Sequence, residues 1–168
     1  IILPQQQVLR ELIDKNALAL VTSPENLKES LNKLKGKPSL VITDSQVFGI
    51  VDKIYNTLSD ENCCIVQGPP GTGKTHRISQ LCDILCAKGF SVLVTALTNR
   101  ALMEVADKLR ESLIKEHKVY KTNLTTDEAK EVNGIQNAEK VYAIPGKLML
   151  STFYIASGSA VNGYEGPL

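Results

Sequence analysis

The stretch Gly68-Pro69-Pro70-Gly71-Thr72-Gly73-Lys74-Thr75 decides the fold of this chain. It fits the spacing G-x-x-x-x-G-K-[ST], in which glycines let the backbone curl around an anion and approach it closely. The apolar run Cys63-Cys64-Ile65-Val66-Gln67 precedes it and is typical of a buried parallel strand. Apolar residues then recur at helical spacing, at Ile78, Leu81, Cys82 and Leu85. A strand, a glycine-rich turn and a helix in this order predict an α/β domain with a phosphate-binding loop.

The residue types in this loop suit a nucleoside triphosphate with Mg²⁺. Backbone N–H groups and the positive end of the following helix would hold the phosphate oxygens. Lys74 would reach the β- and γ-phosphates and the Thr75 hydroxyl would bind Mg²⁺, so these two residues are the predicted catalytic residues. The predicted nucleotide-binding residues are Gln46, Gly68, Pro69, Pro70, Gly71, Thr72, Gly73, Lys74, Thr75 and His76.

Composition and charge bound the class of protein. The 168 residues, 43% hydrophobic and 22% charged, suffice for one globular domain with a core. The net charge of +1 gives no global basic field, although a local groove would be enough to bind nucleic acid. No apolar run approaches the roughly 20 residues of a membrane span and no secretory signal is visible, which predicts a cytoplasmic protein without membrane contact. The chain starts at Ile1 rather than methionine, as a fragment would.

Cys63, Cys64, Cys82 and Cys86 allow two interpretations. They could bind a metal ion, or they could be small core residues in a reducing compartment. Because neither a C-x-x-C pair nor a zinc-type Cys/His spacing occurs, core residues are the favoured interpretation.

The remaining elements predict two regions. Residues 1–39 favour two helices and carry no chemistry that we can name, whereas residues 40–168 predict part of an α/β domain. Gln46 stands at the start of a helix with Ile50 and Ile54 on its apolar face. Its amide could read an adenine edge, but an exposed helical glutamine is the commoner explanation from spacing alone.

Two further strands are predicted downstream of the loop. Residues 91–95 form an apolar run followed by Thr98, Asn99 and Arg100 and then by a helix, so a parallel βαβ unit is expected. Residues 148–153 form the other strand. Because ligands of open α/β sheets bind at the carboxyl ends of the strands, the polar residues there are candidate ligand contacts.

Between and after these strands the pattern is weaker. Thr125 and Glu128 have the spacing of a capping box, which predicts a short helix. A basic cluster is expected to be a solvated face; it consists of Lys115, His117, Lys118 and Lys121. Residues 157–168 are expected to form a loop.

The chain resembles superfamily 1 helicases, in the branch of RNA/DNA helicases that includes the nonsense-mediated decay helicase. Ser45-Gln46-Val47-Phe48 looks like the Q motif of that family, and residues 67–75 are similar to its motif I. Residues 92–102 look like motif Ia, and Leu150-Ser151-Thr152-Phe153 resembles motif Ic. The resemblance covers about residues 40–165.

This resemblance implies the first part of a RecA-like motor domain, with a parallel sheet flanked by helices. It implies ATP and Mg²⁺ at the loop, Gln46 at the adenine, and a second RecA-like domain that supplies arginines. The motif II strand, which carries the acidic Walker B residues, would follow Leu168, so this chain alone is not expected to hydrolyse ATP appreciably. Single-stranded DNA or RNA would cross the strand ends at Thr95, Thr98, Asn99, Arg100 and Thr152.

Other interpretations remain open. An AAA-type ATP-binding regulatory or assembly module would share the loop, but its ATPase would not depend on nucleic acid. A small nucleotide-dependent kinase would need an acceptor pocket and a lid, and no arginine-rich lid segment is visible. At the strand ends, Thr98 could simply cap its helix, Asn99 and Arg100 could be solvated, and Phe153 could belong to the core.

Overall fold

The computed structural model describes residues 39–43, 49–61 and 64–161, with side chains up to residue 158. The predicted helices of residues 1–38, the Gln46 motif and residues 162–168 lie outside these ranges. The elements in chain order are β1 (Leu40–Val41), α1 (Ile50–Glu61), β2 (Val66–Gln67), α2 (Lys74–Ala87), β3 (Val92–Ala96), α3 (Asn99–Asp107), an irregular helical turn (Arg110–Ile114), β4 (Val119–Thr122), α4 (Thr126–Glu131), β5 (Gln136–Ala138), β6 (Leu148–Thr152) and α5 (Phe153–Val161).

The described strands form two parallel sheets flanked by helices, which confirms the α/β class. One sheet pairs β1 with β2, and the other has the order β3-β6-β4-β5. The sequence led us to expect β2 and β3 in one sheet, but each pairs elsewhere. A crossover helix requires only that two strands run parallel, not that they are neighbours, and β3 forms its ladder with β6.

The main core lies between one face of the four-stranded sheet and helices α2 and α3. Alternation along β3 turns Val92, Val94 and Ala96 towards this core and Leu93 towards the opposite face. Fourteen buried residues make up this main core: Cys82, Cys86, Leu102, Met103, Val105, Ala106, Leu109, Leu113, Ile114, Val119, Val132, Ile135, Leu148 and Leu150. A second cluster of Ile42, Ile50 and Ile54 joins α1 to the small sheet, and a third covers the opposite face of the large sheet.

The cysteines that the structure describes in α2 are core residues, as predicted. Cys82 and Cys86 lie one helical turn apart and pack in the main core. Burial raises the pKa of the Cys82 thiol to about 12 and that of Cys86 to about 11. Both thiols are therefore protonated at neutral pH and unreactive.

The prediction for residues 115–140 was wrong in two respects. This segment contains strands β4 and β5 in addition to the short helix, and Lys121 is fully buried rather than solvated. Its ammonium lies 3.1 Å from the Glu128 carboxylate, because α4 folds back over the end of β4. The capping box of Thr125 and Glu128 is confirmed, with both reciprocal hydrogen bonds present.

The end of the described chain also differs from expectation. The strand stops at Thr152, and Phe153 begins a helix that runs to Val161, so Ser157 is helical rather than part of a loop. Ala156 packs against the third apolar cluster and Ser157 is buried. Packing against the sheet therefore outweighs the loop tendency of a glycine- and serine-rich sequence.

Two properties concern residues 39–43, 49–61 and 64–161 only. None of their helices is long and apolar enough to span a bilayer. Their His, Cys, Asp and Glu side chains form no group of three or more that could hold a metal ion.

Candidate functional site

The glycine-rich loop begins at the end of the small sheet, where backbone contacts fix it tightly. Ile42 N–H donates to the Gln67 carbonyl at 2.7 Å, and the Ile42 side chain is fully buried. A Cβ at Gly68 would lie 2.8 Å from Thr72 Oγ1 and 3.0 Å from the Ile42 carbonyl oxygen. The loop therefore needs glycine at position 68, because no larger residue fits between the loop and β1.

The start of α2 is open to an anion. Gly73 stands at the N-cap with a left-handed backbone, φ 76°, and no side chain caps the helix. The helix makes its first backbone hydrogen bond from Arg77 N–H to the Gly73 carbonyl. The N–H groups of the first turn, Lys74 to His76, therefore have no partner within the helix and are available to phosphate oxygens.

The Lys74 side chain lies over the loop itself. Its ammonium donates to the Gly68 carbonyl at 2.5 Å and to the Pro69 carbonyl at 2.8 Å. Thr72 Oγ1 also donates to the Pro69 carbonyl, at 2.8 Å. These two neutral carbonyls hold the Lys74 ammonium over the loop. A phosphate bound there would be a stronger acceptor because it is charged.

The remaining loop residues that we predicted occupy the same short region. Thr75 is half-buried and His76 is exposed in the first turn of α2. Pro70 and Gly71 are exposed at the tip of the loop, where Gly71 has φ 79°. The structure thus brings the predicted phosphate-binding residues together, whereas Gln46 lies outside the described part of the chain.

A second polar region lies at the carboxyl end of β3. Thr98 caps α3, its hydroxyl accepting from Ala101 N–H at 3.3 Å. Asn99 is exposed in the first turn of α3. Arg100 makes an ion pair with Glu131 at 3.0 Å, which links α3 to α4. Thr98 therefore has the structural role of a helix cap, which is one of the two alternatives that the sequence allows for it.

Hydroxyl groups line up across the neighbouring strands. Thr95 is paired in register with Ser151 in β6, and the Ser151 hydroxyl lies 2.9 Å from that of Thr122 in β4. Thr152 is paired with Ala96, so it lies beside the turn that leads to Thr98. The structure therefore places the five predicted nucleic-acid residues around the ends of β3 and β6, on a different sheet from β2 and its loop.

Several features of this edge could not be predicted from the sequence. Thr122 and the buried pair of Lys121 and Glu128 were not identified, although the capping box pointed to Glu128 as a structural residue. The pKa of Glu128 is held below its ordinary value: partial burial alone would raise it, but hydrogen bonds from the Thr125 N–H and the Lys121 ammonium outweigh that effect. Leu97 and Tyr154 are large, exposed apolar residues at the same edge, and nothing in their spacing predicted that.

Comparison with known proteins shows matches to two family models and to no solved structure. The model of a family described as AAA domain matches residues 49–143. The hydrogen maturase F dimerization domain matches residues 1–63, less than half of the chain. No solved structure matches the chain significantly.

One curated relative is the Saccharomyces cerevisiae protein named DNA replication ATP-dependent helicase/nuclease DNA2. It is 34% identical over 76 residues, which cover 42% of this chain and 5% of that protein. The chain thus spans only a small part of the length of this relative. The AAA domain match covers more than half of the chain and includes the loop, α2, β3 and α3. The chain therefore belongs to the AAA domain family.

Proposed function

We propose that this chain is the ATP-binding part of an ATP-dependent DNA or RNA helicase or translocase motor of superfamily 1. The observation that carries the proposal is the open start of α2, where Gly73 leaves the helix uncapped and Lys74 lies over the loop. The AAA domain match supports nucleotide binding, and the printed name of the yeast relative supports a helicase-like motor.

The loop would bind the triphosphate through backbone and side chain together. The N–H groups of the first turn of α2 would receive the phosphate oxygens, and the Lys74 ammonium would leave the Gly68 and Pro69 carbonyls for the β- and γ-phosphates. The Thr75 hydroxyl would hold Mg²⁺, which neutralises charge on the phosphates when bound. Gln46 would contact the adenine.

The ends of β3 and β6 would hold single-stranded nucleic acid. Asn99 is exposed at the start of α3, and Thr152 is the last residue of β6, the strand that pairs with β3. Neutral donors of this kind hold phosphates without reading the sequence of bases. Thr95 and Thr98 would contribute from the same edge. Arg100 is a weaker candidate, because its guanidinium already pairs with Glu131.

A working motor would need elements that residues 39–43, 49–61 and 64–161 do not supply. Among the described strands, only β5 is directly followed by a carboxylate, that of Glu139, and β5 lies at the edge of the large sheet rather than beside β2 and its loop. We propose that a Walker B strand supplies the carboxylate that completes the Mg²⁺ site, and that a second RecA-like domain supplies arginines to the bound ATP. Residues 1–39 would form a helical segment ahead of the motor domain.

Substitution at the strand ends tests this function. The variant Asn99→Ala, Thr152→Ala in the full-length protein should weaken binding of single-stranded oligonucleotides of any sequence and leave nucleotide affinity unchanged. Fluorescence anisotropy with a labelled oligonucleotide at fixed salt measures the first, and titration with a fluorescent ATP analogue measures the second. The matched control is Asn133→Ala, Thr126→Ala, which alters two exposed residues around α4.

The alternative is an AAA-type regulatory or assembly module without translocation. The family match by itself supports this alternative as strongly as it supports a helicase motor. Such a module would bind nucleotide through the same loop but would show no ATPase stimulation by nucleic acid. Unchanged oligonucleotide affinity in the double variant would remove these residues from the nucleic-acid path and support this alternative.

A further inference from the structure

Two large apolar side chains stand exposed where β3 and β6 end. Leu97 is 88% exposed and Tyr154 is 60% exposed. Leu97 follows the last residue of β3, and Tyr154 is two residues beyond the end of β6. Because Ala96 and Thr152 are paired in register on strands about 4.8 Å apart, Leu97 and Tyr154 follow adjacent strand ends at one edge of the sheet.

Leu97 does not pack as the residue before a helix N-cap commonly does. It directly precedes Thr98, the N-cap of α3, where an apolar residue commonly packs against the fourth residue of the helix. That residue is Leu102, which is buried in the main core, yet Leu97 remains almost fully exposed. Local folding therefore does not account for an apolar residue at position 97.

We propose that Leu97 and Tyr154 form a platform that contacts the bases of the single strand, which we call the base platform. This inference rests on the proposed function and extends it from the phosphates to the bases. The polar residues Asn99 and Thr152 lie beside the platform and can hold phosphates. Phosphate contacts fix the path of a strand, and exposed rings then meet its bases, because every base has an apolar face.

The size of the patch favours bases over a protein partner. A stable protein interface buries about 800 Å² on each partner, far more than one leucine and one tyrosine expose. A tyrosine ring offers a flat apolar face while its hydroxyl stays in water, which suits stacking at an exposed edge. The platform has no charged group of its own, so its contribution should be insensitive to salt.

An oligonucleotide without bases separates the platform from the phosphate contacts. Anisotropy would be measured for the full-length protein with labelled oligothymidine and with an abasic oligomer of equal length. Tyr154→Ala should weaken binding to oligothymidine by about five-fold or more, because it removes a stacking ring, and Leu97→Ala should weaken it by a smaller factor. Neither variant should change binding to the abasic oligomer. Tyr154→Phe keeps the ring and should bind as the wild type does.

Phe90→Ala is the matched control. Phe90 is also an exposed aromatic residue, 53% exposed, but it precedes β3 at the opposite end of the sheet. Its loss should change neither affinity.

The outcomes distinguish the base platform from the proposed function. Equal losses on both oligomers, or no loss with Tyr154→Ala, would overturn the base platform. If Asn99→Ala, Thr152→Ala weakened binding to both oligomers while Tyr154→Ala affected neither, the proposed function would stand and the platform would be wrong. If the wild-type protein bound neither oligomer, both claims would be wrong.

Discussion

Replacement of Glu128 by glutamine should destabilise the fold far more than replacement of its partner Lys121 by methionine. The Lys121 side chain is 0% exposed, and its ammonium contacts only Glu128 Oε2 at 3.1 Å and the Thr122 carbonyl at 3.3 Å among the contacts that the structure describes. Glu128→Gln removes one negative charge and little else, since glutamine also satisfies a capping box.

The expected loss of unfolding free energy depends on which charged side chain each substitution leaves buried. Glu128→Gln leaves a buried ammonium with neutral acceptors only, which should cost about 3 kcal/mol of unfolding free energy, near the low end for a broken buried pair. Lys121→Met removes the buried charge and fills the same volume. The Glu128 side chain is 14% exposed and keeps the Thr125 N–H at 3.0 Å, so this change should cost about 1 kcal/mol or less.

Urea denaturation of the chain measures both values. The double variant Lys121→Met, Glu128→Gln should be close to Lys121→Met alone, because the penalty of the single glutamine variant comes from the stranded lysine. Glu111→Gln is the matched control, since its side chain is 92% exposed and its loss should be nearly neutral. If Glu128→Gln cost no more than Lys121→Met, the buried pair would not hold α4 to β4 as we argue.

The pair also predicts how stability depends on pH. The pKa of Glu128 in the folded chain lies below its ordinary value of 4.5. Its contribution to stability is therefore fully present above that ordinary value and is lost as the pH falls through the lowered pKa. Glu128→Gln should flatten the acid side of the stability profile and leave the neutral and alkaline sides parallel to those of the wild type.

Three other predictions concern the loop, the α3 cap and the core thiols. Gly68→Ala should weaken nucleotide binding roughly ten-fold or more, because its Cβ would meet the Ile42 carbonyl and Thr72 Oγ1; titration of a fluorescent ATP analogue tests this, and Gly158→Ala in α5, where nothing lies within 4 Å, should be neutral. Thr98→Ala should lower the unfolding free energy by about 1 kcal/mol through loss of the cap, with nucleotide affinity intact; a loss below 0.3 kcal/mol, roughly the scatter of such measurements, would contradict the capping role. Cys82 and Cys86 should resist thiol reagents at neutral pH until the chain unfolds, and rapid labelling of the native chain would show that α2 does not bury them.

The loop could be predicted almost completely because its signal is local. Glycines at positions 68 and 73 meet needs of backbone geometry that adjacent residues impose, and a strand and a helix flank them as expected. The Thr98 cap and the capping box at Thr125 were also within reach, since each depends on residues three positions apart.

What could not be predicted depends on contacts between distant segments. Lys121 was assigned to a solvated face because its neighbours are basic, yet α4 folds over it and supplies a carboxylate. The strands β4 and β5 are short and partly polar, so alternation did not reveal them, and only their pairing with β6 and with each other makes them strands. The separation of β2 from β3 follows from partner choice, which no local pattern encodes.

The most direct test of the central claim is ATP turnover by the full-length protein at saturating single-stranded oligonucleotide. Lys74→Ala removes the ammonium that now contacts the Gly68 and Pro69 carbonyls, and Lys115→Ala, an exposed lysine elsewhere, is its control. We predict that oligonucleotide stimulates the wild type and the control alike, and that turnover by Lys74→Ala falls roughly ten-fold or more. Equal turnover by Lys74→Ala and the wild type would contradict the account.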